Sequence, residues 1–294
     1  MALTRRELLT ALAAAPLLAA ATARPTVCVF SKHLPGLSYD ELGKAARQLG
    51  FEGVDLTVRQ KSHVLPERAE EDLPRAIETL RSHGLTVPMI TTELTSAAHP
   101  TAEPILRTAG QLKIPYFKPG YWYYGGRDPE RVVREVKEDV RGLAGLARKC
   151  GVVTGIHNHS GDYVGAAVWD NREMIAGLDP RWCGYYFDPA HATIEGGAGG
   201  WQISLGVVAP RLKMSALKDF YWEKSGGSWR VKWCPMGEGM VNWPKVFAGY
   251  AQAGFVGPVS IHMEYEPADH FAALAKDAEF VKRGLDAAYS ARQS

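Results

Sequence analysis

Five histidines, three carboxylates and a lysine stand where short apolar runs end, or just beyond them. Residues 152–156 stop at His157, Asn158 and His159, and residues 183–187 stop at Asp188, with His191 three positions on. Residues 212–217 stop at Lys218 and Asp219, residues 259–263 carry His262 and run into Glu264, and residues 26–30 lead to His33. Imidazole and carboxylate carry protons in general acid–base chemistry, and together they are ligands for Mn²⁺, Mg²⁺, Co²⁺ or Zn²⁺. Such a metal polarises a carbonyl or holds vicinal sugar oxygens, and a lysine stabilises an enolate or acts as an acid. A nearby carboxylate or imidazole then moves the proton of the adjacent carbon. Residues two apart share a face of a strand, so His157 and His159, like His262 and Glu264, form same-side pairs. Two imidazoles and two carboxylates around one mouth make a divalent metal site, with Glu264 the expected proton carrier or ligand and Lys218 the expected acid. His33, His159, His191 and His262 are expected to contact substrate, with Trp122 and Trp222 offering aromatic faces to a sugar ring.

These groups can act together only if the apolar runs are strands that end on one side of the molecule. Helical patterns lie between them. Ser38 and Glu41 make a capping box ahead of Leu42, Ala45, Ala46 and Leu49 on one face, and Gly50 stops that helix. A strand over 54–58 and a helix over 73–83 follow, then the same unit again over 86–90 and 102–112. The strand over 114–118 runs into 119–126, a loop too aromatic to be only a turn. Asp128-Pro129 opens a long helix as N-cap and first-turn proline. Further helices are expected over 171–178, 201–208 (after a glycine-rich loop, 196–200), 243–253 and 268–288. Residues 220–240 read as a hairpin or ordered lid.

The strand ends fall near residues 31, 58, 91, 118, 158, 188, 218 and 264, roughly one βα unit apart. Eight such units close into a (β/α)8 TIM barrel, an α/β fold whose sites sit at the strand C-termini. A doubly wound sheet is the other architecture of this kind, but no G-x-G-x-x-G follows the first strand. The expectation is one barrel domain over 24–294, with the hairpin or lid inserted after strand seven.

Residues 1–23 stand apart. Arg5-Arg6 precedes an apolar run over 8–21, and Ala21-Thr22-Ala23 offers a small-residue cleavage site. This pattern predicts a twin-arginine signal, export of the folded chain, and a periplasmic or secreted protein without stable membrane insertion. A net charge of +2 supplies no electrostatic footprint for nucleic acid. Cys28, Cys150, Cys183 and Cys234 are too far apart for a zinc ribbon; an oxidising compartment permits a disulfide, but Cys28 and Cys183 fall in apolar runs and suit packing better.

Six segments then fall in a telling order: Gly50-Phe51-Glu52-Gly53-Val54-Asp55-Leu56, Asn158-His159, Phe187-Asp188-Pro189-Ala190-His191, Leu217-Lys218-Asp219, Gly237-Glu238-Gly239 and Glu264-Tyr265-Glu266. Through them the chain resembles the xylose-isomerase-like TIM barrel superfamily of sugar isomerases and epimerases, from about Pro25 to the end. The resemblance implies a metal held by a strand-five Glu, a strand-six Asp, a strand-seven His and a strand-eight Glu, the two glutamates shuttling the proton. Asp188 and Glu264 match that set, and His191 matches a substrate-contacting histidine. His157 stands in place of the first Glu and Ala216 in place of the His. Either His157 replaces the glutamate as ligand or base, or the metal moves toward His262, or none binds. On the first of these the resemblance implies Asp188, Glu264 and His157 as metal ligands and Glu264, His157 and Lys218 as catalytic residues.

The reading that results is an exported sugar isomerase or epimerase, moving a proton next to a carbonyl of a small carbohydrate, with a divalent metal. A keto-glycoside lyase and a non-catalytic carbohydrate-binding barrel are the alternatives, and a homo-oligomer is compatible with either. The superfamily's endonuclease branch uses many more carboxylates and histidines, and the charge argues against it.

Overall fold

The computed structural model describes residues 24–292; the twin-arginine segment and its cleavage site lie outside the described residues. Seven strands come first: β1 (Val27–Phe30), β2 (Gly53–Val58), β3 (Thr86–Thr92), β4 (Tyr116–Lys118), β5 (Val153–His157), β6 (Cys183–Phe187) and β7 (Leu212–Leu217). An antiparallel hairpin, β8 (Asp219–Ser225) and β9 (Ser228–Cys234), follows β7, and β10 (Val259–Ile261) is the eighth barrel strand. The barrel closes in the order β1-β10-β7-β6-β5-β4-β3-β2, every pair parallel. The register sets His157 beside Tyr186 and Ile261 beside Leu217, so the polar residues that follow emerge at one rim.

Helices α1 (Tyr39–Gln48), α2 (Ala69–Ser82), α3 (Ala102–Gln111), α4 (Pro129–Cys150), α5 (Val168–Met174), α6 (Pro189–Val208), α7 (Trp243–Gln252) and α8 (His270–Ala291) complete the units. Both faces of the strands are covered, which is why β1, β2 and β6 are buried at every residue. Leu42, Ile77, Ile105, Val136, Val246 and Leu285 bring the apolar stripes of six helices into the core outside the strands. Met89, Tyr186, Met214 and Ala216 form a second cluster.

The local signals hold. Ser38 and Glu41 close the capping box of α1, and the Asp128 carboxylate accepts from Arg131 N at 2.7 Å to start α4. Two expectations change. Residues 196–200 are not a five-residue loop: helical residues extend from Pro189, and two helical stretches meet within α6 at a break confined to Gly197, at φ +59° and ψ −156°. Glycine reaches that conformation at no steric cost, so one glycine suffices to separate the two stretches. The helix expected over 171–178 is α5, at Val168–Met174. Residues 220–240 do contain a hairpin, turned by Gly226 and Gly227, both with positive φ as a tight two-residue turn requires. All four cysteines are free, three of them buried. Among the described residues no helix is long and apolar enough to cross a membrane.

Candidate active site

Asp188 is the pivot of the rim. It ends β6 and caps α6: Oδ1 accepts from His191 N at 3.0 Å, and Pro189 occupies the first turn, where a missing N–H costs nothing. Asn158 holds its backbone from β5, donating Nδ2 to Asp188 O at 2.9 Å and accepting from Asp188 N at 2.8 Å. Oδ2 is thereby left for other side chains. It meets Lys218 Nζ at 3.3 Å, His157 Nε2 at 3.4 Å and His191 Nε2 at 3.8 Å, all buried. Burial pushes the Asp188 carboxyl above its ordinary value, and Lys218 pulls it back. Burial, reinforced by Lys218, drives His157, His191 and His262 well below the ordinary imidazole value, so all three are neutral at pH 7.

The two histidines after β5 do different things. His157 turns Nε2 toward the Asp188 carboxylate, so that nitrogen carries the proton and Nδ1 accepts from the Tyr121 hydroxyl at 2.8 Å. Burial raises the Tyr121 phenol far above its ordinary value and keeps that proton in place. With both nitrogens engaged, His157 links Tyr121 to Asp188 and is not the open base expected of it. His159 Nδ1 lies 3.0 Å from the carbonyl oxygen of Ser160, which can only accept. Its proton is therefore on Nδ1, and Nε2 keeps a lone pair. Burial pushes His159 down to about 4, so it is a neutral base at pH 7.

Beside these groups lies a cavity of about 350 Å³, large enough for a monosaccharide, with His159, Lys218, His262 and Glu264 in its wall. Trp233 and Tyr121 supply its aromatic faces, and Lys218 Nζ lies 5.2 Å from the Trp233 ring. Glu264 is 3.4 Å from Lys32; burial raises its carboxyl, but Lys218, Lys32 and His33 together bring it below its ordinary value. His262 stacks on Phe30 at 4.4 Å and sets Nε2 3.0 Å from the Tyr186 hydroxyl.

Several expected contacts are elsewhere. Trp122 turns its Nε1 to Asp139 at 3.1 Å and packs on the core, outside the cavity. Trp222 is 39% exposed, because the hairpin register pairs it with Val231 and sets Phe220 against Trp233. The inward indole is Trp233. His33 is buried against Phe30, and His191 sits behind the wall with Nδ1 2.8 Å from Ser160 Oγ; neither lines the cavity. Tyr121, Trp233, Arg59 and Lys118 are wall residues outside the expected set. The aromatic loop after β4 is the sequence signal that pointed near Tyr121.

The residues present do not fit the divalent metal that the resemblance implies. Lys218 already neutralises Asp188, Glu264 pairs with Lys32, and Ala216 leaves β7 without an imidazole. Among the described residues no three His, Cys, Asp or Glu side chains are grouped to hold an ion. The expected set Asp188, Glu264 and His157 is not assembled; a lysine fixed in the chain carries positive charge at this carboxylate.

Comparison with known proteins matches this architecture. No curated protein matches by sequence. A xylose isomerase-like TIM barrel protein from Mycobacterium smegmatis, solved in complex with magnesium, superposes with a TM-score of 0.71 at 15% identity, over 90% of this chain and 97% of that one. A 3-keto-D-glucoside 4-epimerase from E. coli gives 0.70 at 13% identity, over 88% and 100%. A D-allulose 3-epimerase from Methylomonas sp., solved with D-allulose, gives 0.68 at 13% identity, over 89% and 97%. At such identities the likeness is one of fold. The model of the xylose isomerase-like TIM barrel family matches residues 44–284, and the chain belongs to that family.

Proposed function

We propose that the chain is an enzyme of the sugar isomerase and epimerase kind, moving a proton next to the carbonyl of a sugar or keto-sugar. One observation carries this reading: around a monosaccharide-sized cavity, Lys218 just beyond β7 lies between two proton carriers, Glu264 after the adjacent β10 and His159 after β5, one strand further on the other side. Asp188 anchors Lys218, which donates to the substrate carbonyl oxygen and stabilises the charge that develops there. His159 Nε2 or the Glu264 carboxylate takes the proton from the adjacent carbon. Return of a proton to the same carbon from the other carrier inverts it; return to the neighbouring carbon isomerises the sugar. Trp233 covers the ring. No step requires a metal.

A lyase is the second reading, favoured by the Tyr121 hydroxyl in the cavity wall, which would have to turn its proton from His157 Nδ1 toward the substrate. It can protonate a leaving oxygen once the carbanion has formed. Export of the folded chain by residues 1–23 is part of the proposal, and replacing Arg5-Arg6 with two lysines should leave the protein in the cytoplasm, where fractionation would find it.

Solvent deuterium exchange into a panel of keto-sugars tests the activity. An isomerase or epimerase incorporates deuterium next to the carbonyl, and a lyase also releases an alcohol. If sugars bind without any exchange, the chain is a carbohydrate-binding barrel and the enzyme reading fails.

A further inference from the structure

The cavity has more positive charge than its own carboxylates neutralise. Four basic side chains line it: Lys32, Arg59, Lys118 and Lys218. Lys32 pairs with Glu264 and Lys218 with Asp188. Arg59 and Lys118 have no ion pair and no side-chain hydrogen bond among the described residues; the guanidinium lies 5.3 Å from the Phe30 ring and the amine 3.2 Å from that of Tyr121. Lys118 is only 3% exposed. Of the nearby carboxylates, Asp55 accepts from Thr91 and Ser260, and Glu93 is exposed and forms no ion pair with either cation. A cation buried without a partner is costly, and it is rare outside sites where a ligand brings the missing charge.

Resting on the proton-transfer reading above, we propose that the substrate is acidic: a keto-sugar acid whose carboxylate sits against Lys118 and Arg59. The strand order supports the assignment. Arg59 follows β2 and Lys118 ends β4, with Thr91 of β3 between them, whereas Lys218, His159 and Glu264 belong to the arc β5-β6-β7-β10. The cavity thus holds an anion at one side and the reacting carbonyl at the other. A planar guanidinium edge matches a carboxylate. A phosphate fits less well. Barrels bind phosphate with the loops after strands seven and eight and a helix N-terminus, and here those positions carry a hairpin and the Glu264 carboxylate. Burial and the charge of Arg59 lower the Lys118 amine below its ordinary value, and a bound anion would offset both effects.

The test uses full-length protein and three probes that share a keto-sugar skeleton: D-fructuronate, D-fructose and D-fructose 6-phosphate. Binding is followed by calorimetry, and turnover by deuterium exchange. The proposal expects fructuronate to bind at least about tenfold tighter than fructose, as charge-assisted hydrogen bonds allow, with strong weakening by salt. Lys118→Met and Arg59→Gln should each raise its Kd far more than that of fructose. If Lys118→Met does not fold, Arg59→Gln and the wild-type ranking still decide. Equal or tighter binding of fructose, tighter binding of the phosphate ester, or no binding of any probe overturns the acidic-substrate proposal. Tight fructuronate binding without exchange upholds the anion site and overturns the proton-transfer reading instead.

Discussion

Asp188 and Asp219 are both buried carboxylates just beyond barrel strands, yet they are held in opposite ways. Asp219 accepts from Phe220 N, Gly237 N, Gly239 N, Val241 N and Trp243 Nε1, all between 2.8 and 3.2 Å. Every donor is a neutral N–H, and together they tie the root of the hairpin to the start of α7. The Gly237-Glu238-Gly239 motif serves this knot, since a Cβ on residue 239 would come within 2.2 Å of Asp219 Oδ1. Asp188 spends one oxygen on a helix cap and turns the other to a lysine and two imidazoles. A buried carboxylate filled by backbone N–H groups is architecture; one facing titratable side chains is placed for chemistry.

Substitution separates the two carboxylates. Asp219→Ala orphans five donors and should cost about 4 kcal/mol or more, read by urea denaturation, with release of the hairpin. Lys218→Met should lower the exchange rate by roughly 10²–10³, the cost of removing one preorganised donor at a developing oxyanion. It also leaves Asp188 unpaired, so its melting temperature should fall as well. Lys218→Arg, which keeps the charge, should restore the fold more than the rate. His159→Gln and Glu264→Gln should each cost about 10²-fold or more in exchange, as expected for loss of a general base. If either variant exchanges at the wild-type rate, that residue is not a proton carrier.

The smallest effect is on stability against pH. His159 has an ordinary value of 6.5 and falls to about 4 in the fold. Between those values the unfolded chain binds a proton that the folded chain refuses. Its contribution is therefore complete above pH 6.5 and is lost as the pH falls through 4. His159→Gln should flatten the stability slope in that window by up to about 1.4 kcal/mol per pH unit, one proton's worth. An unchanged slope between pH 4.5 and 6 would show that His159 titrates normally.

Much of this was legible in the chain. Polar residues that terminate apolar runs one βα unit apart are the consequence of strands buried on both faces and ending at one rim. Asp128-Pro129 was legible as well, because capping and a first-turn proline are local; the same pair at Asp188-Pro189 lies outside the expected helix starts. What escaped depends on distant partners. Period two puts His157 and His159 on one side, but only the Asp188 carboxylate and the Ser160 carbonyl decide which has a free lone pair. Trp222 and Trp233 are equivalent on paper; the hairpin register chooses between them. The metal set implied by the resemblance required four strand tips to converge, and the Lys218–Asp188 pair takes up the one carboxylate at its centre.

The most direct measurement is deuterium exchange next to the carbonyl of a bound keto-sugar, with wild type and Lys218→Met compared in buffer containing EDTA. Lys218 as the charge that stabilises the oxyanion predicts exchange by wild type at its full rate and a loss of about 10²-fold or more in the variant. Exchange that vanishes with EDTA, or that survives Lys218→Met undiminished, would contradict it.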